Sequence, residues 1–233
     1  MNDELPMPTK TSSSDPSSDS PRRPGRPTAQ ATDAGQRDRL IDAAVNLFAS
    51  HGVAATSTKA IAAAAGVTPA LVHYYFRDRE ALLDTVFTER LQPLIEQVFG
   101  TLQAQSTDPV TLIQTLAAQL IRTAAATPWF PGLWIREIVG AEGQLRERLL
   151  QRVALQRAQF IAGPLAAAHA KGQLNPGLEP ALVMVSLIGL TLLPLATTHI
   201  WRALPGAADI DTEKLVSHVV ALLGHGLSVP TTR

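Results

Sequence analysis

From Leu40 onward, apolar residues recur at intervals of three and four, so that Leu40, Ile41, Ala44, Val45, Leu47 and Phe48 form one stripe. This spacing predicts an amphipathic helix ending at His51-Gly52, where glycine can take the left-handed conformation that stops a helix. Thr56 or Ser57 can cap a second, shorter helix that reads "KAIAAAA" and ends at Gly66. Thr68 is placed to cap a third, with Pro69 in its first turn. Only "AGV" joins these two helices, a link too short for antiparallel packing. The two must cross steeply, which is the geometry of a helix-turn-helix. Asp78 can cap a long fourth helix carrying Leu82, Leu83, Val86, Phe87, Leu91, Leu94, Ile95 and Val98, and Pro93 is expected to kink or break it.

Further helices are expected at about 109–126, 130–140, 143–170, 179–202 and 211–227. Gly163-Pro164 should interrupt the third of these, and "KGQLNPGLEP" reads as a firm turn. No strand alternation is evident, so the fold class is all-α. Ala181–Ala196 is almost wholly apolar, but Ser186, Gly189, Thr191 and Pro194 interrupt it. It also falls short of the roughly 20 residues a bilayer needs. It reads as a buried helix with core on one face and a subunit interface on the other, and no membrane partner is expected.

Ahead of these helices, residues 1–31 read as a disordered tail, with six Ser and six Pro in the first 28 positions. Within it "PRRPGRP" clusters Arg22, Arg23 and Arg26. They are either part of a solvated linker or an arm that enters an A·T-rich minor groove, whose narrow width attracts arginine. The first residues lack an apolar core behind a basic start, so no signal peptide is read and a cytoplasmic location is expected.

Composition narrows the chemistry. Twenty basic residues balance twenty acidic ones, so net charge points to no polyanionic partner and any nucleic-acid surface must be local. The chain has no Cys, which excludes disulfides, thiolate metal sites and Cys nucleophiles. There is no phosphate-binding glycine loop, G-x-S-x-G, H-E-x-x-H or dinucleotide fingerprint, so no enzyme, catalytic residue or cofactor is expected. Glu142 and Arg146 read as a helix-surface pair. His218 and His225 lie seven residues apart with no third ligand nearby, so no metal site is assigned.

The stretch "LIDAAVNLFASHGVAATSTKAIAAAAGVTPALVHYYFRDREALL" resembles the DNA-binding domain of the TetR-type transcriptional regulators. The apolar first helix ending in Gly, the "T-S-T-K-x-I-A-x-x-A-G-V" second helix and the "Y-F-x-x-[KR]-E-x-L-L" exit carry the match, over about residues 34–96. The resemblance implies a homodimer that places each third helix in a major groove of a palindromic double-stranded operator. It also implies a C-terminal helical bundle that binds a small molecule and dimerises. The expected divisions are the tail at 1–31, a three-helix DNA-binding domain at 32–94 and a ligand-binding and dimerisation domain at 95–230.

On that frame Ser57 and Lys59 of the second helix, and Thr68, Pro69, Ala70, Leu71, His73 and Tyr74 of the third, form the candidate DNA surface. Pro69, Ala70 and Leu71 offer no hydrogen-bonding side chain, so they can read only thymine methyls or shape. Lys59 should supply the polar contact, while Thr68, His73 and Tyr74 should grip phosphates. His73 stands where the family usually has Tyr and adds a small pH sensitivity. Tyr75 and Phe76 should pack against neighbouring helices. Arg79 stands where the family often has Lys and should clamp the DNA backbone.

In the C-terminal half, "TPWFPGLWIREI" gathers Trp129, Phe130, Trp134 and Arg136, which are either core or the wall of a pocket with Arg136 at its polar end. His169, Met184 and His199 are further lining candidates. The functional expectation is a repressor released by a small, apolar effector. A ligand-independent architectural DNA-binding protein and a helical small-molecule carrier that does not bind DNA are the alternatives.

Overall fold

The computed structural model describes residues 29–100 and 108–230, and every regular element among them is helical. Helices α1 (Ala29–His51), α2 (Thr58–Ala65) and α3 (Pro69–Tyr75) form the N-terminal unit. Helix α4 (Arg79–Val86) leads out of it through a π-helical turn, Phe87–Leu91, into α5 (Gln92–Gly100). Then come α6 (Pro109–Ala126), α7 (Trp129–Trp134) and a second π turn, Ile135–Val139. Helix α8 (Arg146–Leu149) passes through a third π turn, Leu150–Ala154, into α9 (Leu155–Ala170). A 3-10 turn, Pro180–Leu182, opens α10 (Val183–Ala196), and after it come α11 (Thr198–Trp201) and α12 (Thr212–Leu227).

The first stripe is buried as its spacing requires: Leu40, Ile41, Ala44, Val45 and Phe48 face Ile61 and Ala62 of α2, Val72 of α3 and Leu82, Leu83 and Val86 of α4 within one core. Each large side chain so buried contributes about 1.5–3 kcal/mol. That core continues into the C-terminal half, where α6 packs against both α12 and α10, and α7 packs against α1. The helix-turn-helix unit is therefore seated on the second half of the chain rather than tethered to it.

Two local expectations change, and a third takes a specific form. The long fourth helix leaves the α pattern in the π turn just before Pro93, with the Gln92 amide reaching back to the Phe87 carbonyl. Proline has no N–H for the carbonyl of Glu89, and the Arg90 guanidinium meets that oxygen at 3.2 Å instead. Gly163-Pro164 does not interrupt its helix, because α9 runs through Pro164. Phe160, Gly163 and Pro164 are exposed, so the carbonyl that loses its partner can meet water. Glu142 and Arg146 are not a helix pair: Glu142 lies in a turn, and Arg146 donates to the carbonyls of Ile138 (2.8 Å), Val139 (3.3 Å) and Gly140, closing the second π turn.

Among the described residues no helix is long and apolar enough to cross a membrane. No group of three or more His, Cys, Asp or Glu among them could hold a metal ion.

Candidate nucleic-acid interface

The turn between α2 and α3 is built on Gly66, whose φ of 68° lies in the left-handed region that glycine enters without strain. Its amide reaches the Ala63 carbonyl at 3.1 Å, and the Val67 amide reaches Ala62 at 3.0 Å. Ser57 is exposed and caps α2, its hydroxyl accepting from the Ala60 amide at 3.1 Å. Lys59 is exposed in the first turn of the same helix.

Helix α3 turns Val72 into the core, with Phe76 just past its end, and leaves Thr68, Pro69, Ala70, His73 and Tyr74 exposed. Tyr74 is 73% exposed, a large ring left mostly open to solvent. Thr68 stands at the N-cap position but makes no capping hydrogen bond through its side chain. Leu71 is half-buried, so the apolar tip is narrower than the sequence suggests and consists mainly of Pro69 and Ala70.

Tyr75 and Phe76 hold α3 to α1. The Tyr75 hydroxyl donates to the Asp33 carboxylate and lies 3.1 Å from the Asp33 carbonyl. That hydrogen bond, followed by desolvation, pushes the phenol up to about 12. Phe76 is buried with the Arg37 guanidinium over its ring at 5.6 Å.

Arg79 is placed differently from its expected role. It is half-buried and donates to the Thr56 carbonyl at 2.6 Å and to the Val53 carbonyl, so its head faces the α1–α2 turn. Glu137 grips the same turn from the C-terminal half. Only 3% exposed, its carboxylate accepts from the Val53 amide at 2.8 Å and the Gln144 amide at 3.0 Å. Arg22, Arg23 and Arg26 lie outside the described residues.

A second set of charges fastens α4 and the π turn after it. Arg37 meets Glu89 at 2.6 Å, and Arg90 meets Asp42 at 2.8 Å and Asp38 at 3.2 Å, both on α1. From α8, Arg148 meets Glu80 and Asp84, each at 2.6 Å, while Arg152 lies over the Phe87 ring at 5.5 Å. The Arg148 guanidinium holds the Asp84 carboxyl below its usual range, as Arg37 does for Glu89.

The C-terminal half encloses a cavity of about 40 Å³ between α5, α6, α7 and α10. Phe99, Leu120, Phe130, Trp134, Met184 and Leu187 are among its lining residues, and every one of the lining residues is apolar. Three of the expected pocket residues, Phe130, Trp134 and Met184, thus come together. Four do not. Trp129 is half-buried, its ring set edge-on to Phe130. Arg136 is exposed on a separate surface depression beside Ala49 and Gly140. His199 is exposed on α11, and His169 is half-buried near the end of α9 with its Nε2 unpartnered. Sequence reasoning missed Glu137 and Arg148, since a charged residue beside other charged residues gives no sign that its partners lie on another helix.

The family model described as "Bacterial regulatory proteins, tetR family" matches residues 40–86, the segment that spans the helix-turn-helix and its supports. Over those residues the chain is similar to the regulatory proteins of the TetR family. The HTH-type transcriptional regulator BetI of Rhizobium meliloti (strain 1021) is 30% identical to this chain over 100 residues, 43% of this chain and 49% of the relative. The HTH-type transcriptional repressor KstR2 of Rhodococcus jostii (strain RHA1) is 33% identical over 67 residues, 29% of this chain and 31% of the relative. The matched segments therefore span half or less of these curated relatives.

Solved structures extend the likeness of fold across most of the chain. The ketosteroid transcriptional regulator KstR2 of Mycobacterium tuberculosis aligns with a TM-score of 0.66 at 17% identity, covering 84% of this chain and 96% of that one. The transcriptional regulator FadR of Bacillus subtilis, in complex with stearoyl-CoA, aligns at 0.59 and 22% identity, covering 81% and 98%.

Proposed function

We propose that the protein is a sequence-specific DNA-binding transcriptional regulator, a homodimeric repressor that a small apolar effector releases from a palindromic operator in the cytoplasm. The observation that carries this reading is the presentation of α3. It follows α2 through the left-handed turn at Gly66, buries Val72 and leaves Thr68, His73 and Tyr74 exposed around the apolar tip of Pro69 and Ala70. A helix so mounted fits a major groove, with its polar rim on the phosphates.

Dimerisation is supported by uncovered stripes on α10 and α12. Leu182, Val185 and Leu193 are exposed along and just ahead of α10, interspersed with Ser186 and Gly189. On α12, Ala221 and Leu222 are exposed between His218 and His225. A second copy would cover both stripes, and the small residues permit close helix approach.

The effector reading rests on the apolar cavity. At about 40 Å³ it is far below the roughly 300–1,000 Å³ of ordinary ligand sites, so an occupant has to push the walls apart. Trp134 lines it and directly precedes the π turn that carries Glu137, whose carboxylate holds the Val53 amide. Filling the cavity would displace that turn and with it the seat of the helix-turn-helix, lowering operator affinity. The test is release of bound DNA by long apolar ligands, with stearoyl-CoA and a ketosteroid as probes. Binding of either without loss of DNA affinity would contradict the release mechanism.

A further inference from the structure

The DNA-binding reading leaves open which cation at the start of α4 meets the phosphate backbone, and the identity of that cation rests on that reading. Arg79 is the residue the sequence pattern nominates, but its guanidinium already donates to the Thr56 and Val53 carbonyls in the α1–α2 turn. Moving it to a phosphate would strip two half-enclosed carbonyls of a charged donor and loosen the residues that lead into α2. Arg77, two positions earlier, is in the opposite situation. Its side chain is 88% exposed, and among the described residues its one ion pair is with its neighbour Asp78, at 2.9 Å. An exposed pair between adjacent residues is weak and readily exchanged. Asp78 does not depend on it either, because its other oxygen caps α4 by accepting the Ala81 amide at 2.8 Å.

The location fits as well. The bond from Arg79 to the Thr56 carbonyl sets the start of α4 against the entry to α2. Ser57 and Lys59 leave that junction on one side, and Arg77 lies within about 7 Å of chain on the other. Arg77 also lies just past the exposed end of α3, three residues after Tyr74. Of the cations along α1 to the π turn, Arg37 and Arg90 are engaged by carboxylates of other helices.

We infer that Arg77 makes the phosphate contact at the start of α4, whereas Arg79 is a positioning residue that holds the α1–α2 turn. Each phosphate contact contributes about −0.9 to the slope of log affinity against log salt, so removing a contact flattens the slope by that amount. A duplex recovered by the wild-type protein from a random pool is the probe, titrated by fluorescence anisotropy between about 50 and 200 mM KCl. Arg77→Ala should flatten the slope by about 0.9 per subunit and leave thermal unfolding unchanged. Arg79→Gln should keep the wild-type slope and lower the unfolding temperature by several degrees. An unchanged slope in Arg77→Ala overturns the inference, whatever Arg79→Gln does. A flattened slope in Arg79→Gln, read at a temperature where that variant is folded, overturns the positioning role. Wild-type protein that retains no duplex overturns both the inference and the DNA-binding reading beneath it.

Discussion

The carboxylate of Glu137 accepts the amide hydrogen of Val53 at 2.8 Å, joining residues 84 apart in sequence across the junction of the two halves. Its second oxygen takes the Gln144 amide, so each oxygen of this buried carboxylate meets a backbone donor. From the other side, Arg79 donates to the carbonyl of that same Val53. One residue of the α1–α2 turn is thus held both by the helix that leaves the helix-turn-helix unit and by the wall of the C-terminal half.

Glu137→Ala should therefore cost far more than an ordinary truncation. It leaves two enclosed amides without acceptors, at about 1–3 kcal/mol each, for a total of about 2–6 kcal/mol. The unfolding temperature should fall by on the order of 10 °C. Hydrogen exchange at the Val53 amide should accelerate in the variant, and unchanged protection there would contradict the contact.

The Arg148 clamp on α4 gives a pH-dependent effect. Asp84 is held below its ordinary 3.8 chiefly by Arg148, and Glu89 below 4.5 by Arg37. Carboxyls depressed in the folded state add stability above the unfolded value and lose it as pH falls through the folded one. The Asp84 side chain is 47% exposed, so solvent screening limits this to about 1 kcal/mol or less. Denaturant unfolding should show Arg148→Met less stable than wild type at about pH 7, with the gap closing below about pH 4.

Tyr75 offers a direct titration. The chain has two tyrosines, so Tyr74→Phe leaves Tyr75 as the sole phenol. Its absorbance change should then centre near 12 in the folded protein. In denaturant the midpoint should return to about 10. A phenol raised in the folded state adds stability below about pH 10, which is lost as pH climbs through 12. Tyr75→Phe should erase this dependence.

The helices of this chain were legible because their cause is local. The Leu40–Phe48 stripe, Gly66 at the bend and Asp78 at the head of α4 act within a few residues of where they are read. What escaped depends on distant partners. Arg79 reads as a free cation until folding brings the Val53 and Thr56 carbonyls to it. Glu137 reads as surface charge until the Val53 and Gln144 amides enclose it. Pro93 announced a break, but the chain widens ahead of it, where Arg90 satisfies the orphaned Glu89 carbonyl. In the cavity, aromatic clustering picked out Phe130 and Trp134, while Arg136, two residues on, faces outward.

On the proposed DNA-contacting surface, Lys59→Ala and Tyr74→Ala should each weaken DNA binding several-fold. Both side chains are exposed, so stability should stay within about 0.5 kcal/mol of wild type. Lys59→Ala should also flatten the salt slope if its ammonium meets a phosphate. Anisotropy titrations beside thermal melts separate the two effects.

The most direct measurement is selection of bound duplexes from a random DNA pool by the full-length protein, with footprinting of those enriched. Two inverted half-sites should emerge, with centres about 10 base pairs or a multiple apart, and Tyr74→Ala should recover them poorly. A pool that shows no enrichment, or an enriched sequence that Tyr74→Ala and Lys59→Ala both bind as wild type does, would contradict the reading of α3 as the DNA-contacting helix.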